Sequence, residues 1–223
     1  MPRVAVVLSG SGRADGSEIT EAVSVLVHLS RVGAEVTCFA PDVAQADVID
    51  HVTGKPTGEK RNVLTEAARI ARGSIHPLSR LETHAFDAVV FPGGYGAAKN
   101  LCTFAKDGPD CRVNADVSRV VGEFHRAGKP IGLCCIAPVL AARLLGTASG
   151  GPGCTITIGA DEATANAVRK MGATNVAKGP LEAVVDPAQR LATTPAYMCE
   201  ASPHEVFEGI GRMVEGVMGL MGR

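Results

Sequence analysis

The chain opens on an apolar, β-branched run, RVAVVL, which predicts a buried strand, and the glycine-rich loop SGSGRADGS follows it. In EITEAVSVLVHLSRVGAEV the residues Ile19, Val23, Leu26 and Val27 fall at helical spacing, Ser30 closes that face, and Gly33 stops the helix. Strand, glycine turn and helix in this order open a βαβ unit. A second strand, EVTCFA, ends at Pro41. VIDHVTGKPTGE makes a small extended excursion that turns at Thr53-Gly54, and RNVLTEAARIARG is a helix ending at Gly73. After a loop around HPLSRLETHAFD, the segment AVVFPGGYGAAKNL predicts a strand, a glycine loop and a helix start. A helix over 114–127 ends at Gly128, PIGLC is the next strand, and IAPVLAARLLG the next helix. Beyond them lie a short strand in CTITIG, a helix in DEATANAVRKMG, and strands near TNVA, EAVVD and RLATTP. The last helix carries Val206, Phe207, Ile210, Met213, Val214, Val217 and Leu220 or Met221 on one stripe.

Apolar strands alternating with helices predict a single α/β domain over residues 1–223, a three-layer sandwich around a mostly parallel sheet. Composition agrees: 46% of the 223 residues are hydrophobic but only 4% aromatic, with no Trp, so Val, Ala, Leu and Ile must fill the core. With 22 basic and 23 acidic residues the net charge is -1, which gives no electrostatic footprint for nucleic acid or an anionic membrane. The expected partner is a small molecule. No apolar run approaches the ~18 residues of a membrane span, and the start of the chain runs almost directly into a strand, which predicts no signal peptide. The seven cysteines are scattered, odd in number and without C-x-x-C or zinc-type spacing, a pattern of free thiols in a reducing compartment with no metal site.

In parallel α/β sheets ligands bind beyond the C-terminal ends of the strands, which selects the loops after Leu8, Phe91 and Leu133. The third loop lies in GKPIGLCCIAPVLAA. Consecutive residues of an extended segment point to opposite faces, so one of Cys134 and Cys135 faces a site there, and a disulfide between them would be strained. Pro138 suits the first turn of a helix. Cys135 then sits on the turn as a nucleophile elbow relieved by Ala137, the helix N-terminus favours its thiolate, and Cys134 reads as the last buried strand residue. Taken alone, the segment fits two small core residues as well.

The loop FPGGYGAAKN adds backbone N–H groups able to face a developing oxyanion: Gly94 is one candidate donor and Ile136, after the nucleophile, the other. Asp15 and Glu18 have capping-box spacing, which gives Glu18 a structural task. Glu21 has none. Beside a thiol in a partly desolvated cleft its carboxyl would have a raised pKa and exchange a proton with substrate; on an open helix face it would simply be solvated. Gly10, Ser11, Glu18, Gly93 and Asn100 complete the candidate substrate pocket. The histidines at 28, 51, 76, 84, 125 and 204 show no metal spacing, and His204 and Glu205, adjacent on a helix, diverge too far for an amidotransferase-like triad.

Taken together, VVLSGSGRADGSEITEAV, CFAPD, VIDH, RNVLTEAARIARG, FPGGYGAAKNL, GKPIGLCCIAP and TTPAYM resemble the enhancing-lycopene-biosynthesis (ElbB-type) family over essentially the whole chain. That family, which has a mitochondrial eukaryotic branch, belongs to the PfpI-like class I glutamine amidotransferase superfamily. The resemblance implies a flavodoxin-like sandwich and a homodimer. It also implies a cofactor-independent, glyoxalase III-like lyase that takes glyoxal to glycolate, with related 2-oxoaldehydes and deglycase-type repair within its range. By position the elbow cysteine falls on Cys135, the glutamate of the first helix on Glu21, and the oxyanion glycine on Gly94. Three departures stand out. Ile136 occupies the place of a histidine in peptidase-like members, no histidine follows soon after the elbow helix, and SGSGRADG carries Ser11 and Ala14 where relatives often have a second cysteine and an aromatic. Two further readings are a redox-responsive regulatory protein with an oxidisable Cys135 and a glutaminase subunit, for which the triad is wanting. The expected location is the bacterial cytoplasm or, after removal of a transit peptide, the mitochondrion.

Overall fold

The computed structural model describes residues 1–222. In chain order the elements are β1 (Arg3–Val7), α1 (Ile19–Arg31), β2 (Glu35–Ala40), β3 (Ile49–Asp50), β4 (Lys55–Pro56), α2 (Val63–Ile70), β5 (Ile75–Pro77), β6 (Ala88–Phe91), α3 (Tyr95–Lys99) and α4 (Phe104–Asp107). There follow α5 (Ala115–Arg126), β7 (Ile131–Cys134), α6 (Pro138–Leu145), β8 (Thr155–Ile156), α7 (Glu162–Lys170), β9 (Thr174–Asn175), β10 (Val184–Asp186), β11 (Leu191–Thr194) and α8 (Pro203–Met221). A seven-stranded sheet runs in the order β10-β11-β7-β6-β1-β2-β5, and every pairing in it is parallel except β10 with β11. The α/β, flavodoxin-like sandwich is therefore present.

Alternation along the strands sorts side chains into two cores. Ala5, Val7, Val89, Phe91, Ile131 and Leu133 face the side covered by α5, α6 and α7. Val4, Val6, Leu8, Val90, Cys134 and Ala192 face α1, α2 and α8. The central strands are buried on both sides, which is why they read as unbroken apolar runs. Each buried Val, Leu or Ile contributes roughly 1.5–3 kcal/mol relative to exposure.

The orientation of α1 departs from expectation. Ile19, Val23 and Val27 are 51%, 44% and 45% exposed, so the stripe that the spacing marks points outward. The inward face is Ala22, Val25 and Leu29, with Glu21, Ser24 and His28 buried among them. The helix is apolar on two faces, and packing against α8 decides between them: His28 Nε2 bonds the carbonyl of Phe207 at 2.9 Å and its ring lies where a side chain on Gly211 would be.

The predicted Asp15–Glu18 capping box does not form either. Residues 12–17 close their own turn, with Gly16 N–H donating to Gly12 O at 2.8 Å, and the helix begins only after Glu18. Glu18 is itself the N-cap, accepting the N–H of Glu21 at 2.8 Å, while the Asp15 carboxylate accepts the N–H of Ile49. Two elements were not foreseen. One is β5, an edge strand ending in Pro77, and the other is the single turn α4. Among the described residues no helix is long and apolar enough to cross a membrane.

Candidate active site

Cys135 follows β7 where the chain turns into α6. Its φ of 60° lies in the left-handed region, which costs a residue with a Cβ about 1–3 kcal/mol. Backbone bonds hold the turn in place: Cys135 N–H donates to Thr194 O and Ala137 N–H to Cys134 O, both at 3.0 Å, and Pro138 begins α6. A nucleophile elbow is thus built at the C-terminal edge of the sheet.

Glu21 meets this thiol from α1. Its side chain is wholly buried, Oε1 accepts the N–H of Tyr197 at 3.2 Å, and the N–H of Gly93 and the thiol of Cys135 face it. Cys134 Sγ lies 3.9 Å from Oε2. Burial first, and then the neighbouring Glu18 carboxylate, push the Glu21 carboxyl up to about 8, so it is mostly protonated at neutral pH.

Burial, followed by the charge of Glu21, also raises the Cys135 thiol well above its ordinary range. This corrects the expectation of a thiolate favoured by the helix N-terminus. The N–H groups of Gly94 and Ile136 do face the sulfur, yet they are outweighed by desolvation of a residue only 8% exposed. On raising the pH, Glu21 is the first of the pair to ionise.

The glycines are dictated by crowding. A Cβ on Gly93 would collide with Cys135 Cβ and with Glu21 Oε2, and one on Gly94, whose φ is 93°, would collide with Glu18 N and Gly16 O. The glycine loop therefore brings backbone N–H groups against the thiol and carboxyl as no larger residue could.

Cys135 opens into a cavity of about 630 Å³, within the range that takes small organic ligands. Gly94, Ile136 and Glu18 line it too. Gly93 lies behind it, between Cys135 and Glu21. Gly10, Ser11 and Asn100 do not line it and are corrected to structural positions. Gly10 and Ser11 pack against Gly16, and Asn100 is a strut whose amide donates to Ser9 O and Asp15 O, each at 2.9 Å, while its Oδ1 accepts the N–H of Ala46. The remaining wall is new: Arg13, Tyr95 and Ala98, Phe104 and Ala105 from α4, Asp161 and Thr164 at the start of α7, and Tyr197 with Met198. Tyr95 and Tyr197 sit in segments already conspicuous in the sequence, PGGYG and TTPAYM. The short α4 carried no periodicity to find.

No histidine lines the cavity. His204 is exposed, and Glu205 closes a capping box with Ser202, so neither belongs to a triad. All seven cysteines are free thiols, and among the described residues no group of three His, Cys, Asp or Glu side chains could hold a metal. A larger open depression, about 940 Å³, lies between 79–84 and α5, but its Arg119 and Lys129 are engaged with backbone carbonyls and no cysteine lines it.

No family model matches the chain. The human glutamine amidotransferase-like class 1 domain-containing protein 3, mitochondrial, is 54% identical over 231 residues, covering 99% of this chain and 84% of that protein. The rat ES1 protein homolog, mitochondrial, is likewise 54% identical, over 99% of this chain and 85% of its own length. The chain belongs to the ES1 family of glutamine amidotransferase-like class 1 domain proteins. A solved structure from Ehrlichia chaffeensis, described as an isoprenoid biosynthesis protein with an amidotransferase-like domain, superposes on this ES1-family chain with a TM-score of 0.92 and 37% identity, covering 99% of both. Drosophila melanogaster DJ-1beta, at 18% identity and a TM-score of 0.56 over 100% of this chain and 91% of its own, shares the fold.

Proposed function

We propose that this ES1-family protein is a cofactor-independent glyoxalase, converting glyoxal and related 2-oxoaldehydes to 2-hydroxy acids through Cys135. The observation that supports it is the placement of the Cys135 thiol and the Gly94 and Ile136 N–H groups at one cavity, with the buried Glu21 carboxyl directly behind the thiol. In its ionised form Glu21 takes the thiol proton as sulfur adds to one aldehyde carbon. The C=O π electrons move to oxygen, and the resulting oxyanion is held by the two N–H groups.

Protonation of that oxygen gives a neutral hemithioacetal. Glu21, again as carboxylate, removes the C–H proton of the carbon bonded to sulfur and returns it to the neighbouring carbon, while the hemithioacetal hydroxyl proton passes to the oxygen of the second aldehyde through the enediol. The first carbon is thereby oxidised to a thioester and the second reduced to an alcohol. Water attacks the thioester, the C–S bond breaks, the thiol is regenerated and glycolate leaves. Hydride acceptors and metals have no part in this balance. The same addition step extends to deglycase-type repair of early carbonyl adducts.

The thiol's raised proton affinity counts against a redox sensor, which needs an exposed, readily ionised thiol. The lack of histidine in the cavity counts against a glutaminase. Initial rates of glycolate formation from glyoxal, with glutamine hydrolysis as a parallel assay, test the reading: Cys135→Ser turning over glyoxal at the wild-type rate would overturn it. The named compartment of the human and rat relatives favours the mitochondrion over the bacterial cytoplasm for this chain, which subcellular fractionation checks. A homodimer belongs to the same proposal and is checked by sedimentation.

A further inference from the structure

The cavity is much larger than glyoxal, a pair of joined aldehyde groups, requires. Its walls divide by chemistry. Tyr95, Ala98, Phe104, Ala105, Ile136 and Met198 supply apolar surface. Three charged residues line it as well, and two are already engaged. The Glu18 carboxylate caps α1 by accepting the N–H of Glu21 at 2.8 Å, and the Asp161 carboxylate caps α7 by accepting the N–H of Thr164 at 2.8 Å. The third is Arg13. Its backbone is fixed, since its carbonyl accepts the N–H of Tyr95 at 2.8 Å. Arg13 is exposed at the rim of the cavity, and its guanidinium makes no hydrogen bond or ion pair to any described residue.

We propose that Arg13 determines specificity at this cleft, and that the carbonyl compound reaching Cys135 carries a carboxylate or phosphate on a short apolar stem. A guanidinium offers a planar fork of donors that matches either oxyanion bidentately, and no carboxylate of the protein competes for this one. The apolar wall would take the stem, and the elbow the carbonyl carbon. This rests on Cys135 being the group that meets the substrate, and it narrows the 2-oxoaldehydes of the glyoxalase reading to an anion-bearing one in preference to uncharged glyoxal.

Alkylation of Cys135 tests the proposal without requiring any turnover. The rates of modification by iodoacetate and by iodoacetamide are measured by peptide-resolved mass spectrometry on wild type, Arg13→Gln and Arg13→Lys, with glutathione as the reference thiol. The expected result is a ratio of iodoacetate to iodoacetamide rates in wild type about 5–10-fold above that of glutathione, which a charge-assisted contact of ~1–1.5 kcal/mol supplies. Arg13→Gln should lower the iodoacetate rate by that factor and leave the iodoacetamide rate within about twofold, and Arg13→Lys should retain part of the preference. In a second arm, propionate and inorganic phosphate are compared as protectants against iodoacetamide, and the better protectant identifies which anion the site takes. Equal ratios in wild type and Arg13→Gln, or no protection by either anion, would overturn the proposal. Glyoxal turnover is scored separately, so an anion-selective Cys135 without glyoxalase activity would fault only the reaction assigned to it.

Discussion

The sulfur of Cys134 lies 3.9 Å from Oε2 of Glu21, on the core side of the carboxyl that also meets Cys135. At that length the contact is a weak one. Cys134 itself is fully buried among Val6, Val90 and Val214 of the second core, so its contribution is packing. Replacing it with Ala should cost about 1 kcal/mol from the small cavity left behind and change kcat/KM for glyoxal by less than about threefold. Urea denaturation and initial rates on the same preparation check both halves. A loss as large as that of Cys135→Ala would mean that both thiols take part.

Glu21 sets activity against stability. Its carboxyl has an ordinary value of 4.5 when the chain unfolds and is held at about 8 when folded. Below 4.5 both states are protonated and its burial is least costly. Between 4.5 and 8 the unfolded chain ionises while the folded one does not, so stability falls as pH rises through that window and levels off above it. The accumulated loss is on the order of 3–5 kcal/mol. Glu21→Gln removes it, so the variant's thermal midpoint should rise above wild type by an increment that grows from pH 5 to pH 8. The same variant should lose about 10²–10⁴-fold in turnover as the proton carrier disappears. Thermal melts across that pH range are the check, and a pH-independent difference would mean that the carboxyl is not held protonated in the fold.

The rate has its own pH signature. Thiol addition requires Glu21 as carboxylate, and at neutral pH only about a tenth of the molecules carry that form if the value is near 8. The rate constant kcat/KM for glyoxal should therefore climb about tenfold from pH 7 towards 9, with its inflection near 8. Glu21→Gln should show no such inflection. A profile flat from pH 6 to 9 would remove Glu21 from the proton-transfer role.

Much of this site was legible in the sequence because its parts are forced by local geometry. A strand run ending at Cys134 with Pro138 close behind requires a tight turn at Cys135, and the structure has one at φ 60°. FPGGYG required a close backbone approach, and Gly93 and Gly94 make it. Facing was harder to read. On α1, Ile19, Val23 and Val27 satisfy helical spacing as well as Ala22, Val25 and Leu29 do, and only the contact with α8 selects the second set, which is also what buries Glu21. Asn100 looked like a pocket residue because it follows the glycine loop; its three bonds to Ser9, Asp15 and Ala46 depend on chain segments far apart in sequence. Arg13, Phe104 and Asp161 come to the cavity from a loop, from α4 and from the N-cap of α7, and no periodicity relates them.

Gly93 offers the sharpest structural test of the constellation. It lies between the thiol and the carboxyl, and its missing side chain is what lets them meet. Its φ is not left-handed, so Gly93→Ala introduces no backbone strain of that kind; the added methyl meets Cys135 Cβ, Glu21 Oε2 at 2.5 Å and Cys134 O at 2.9 Å. Of these, the carboxyl on its side chain is the freest to give way, although it is held by the N–H of Tyr197. Overpacking of this kind costs about 1–3 kcal/mol. The variant should therefore fold with a lowered thermal midpoint and lose at least about 100-fold in kcat/KM, because a displacement on the ångström scale suffices to misplace a proton carrier. Gly94→Ala makes the useful contrast, since its φ of 93° and its collisions with Glu18 N and Gly16 O fall on backbone, and it should lose far more stability than Gly93→Ala. Paired melts and rates of the two variants check the ordering; a fully active Gly93→Ala would mean that Cys135 and Glu21 need not touch.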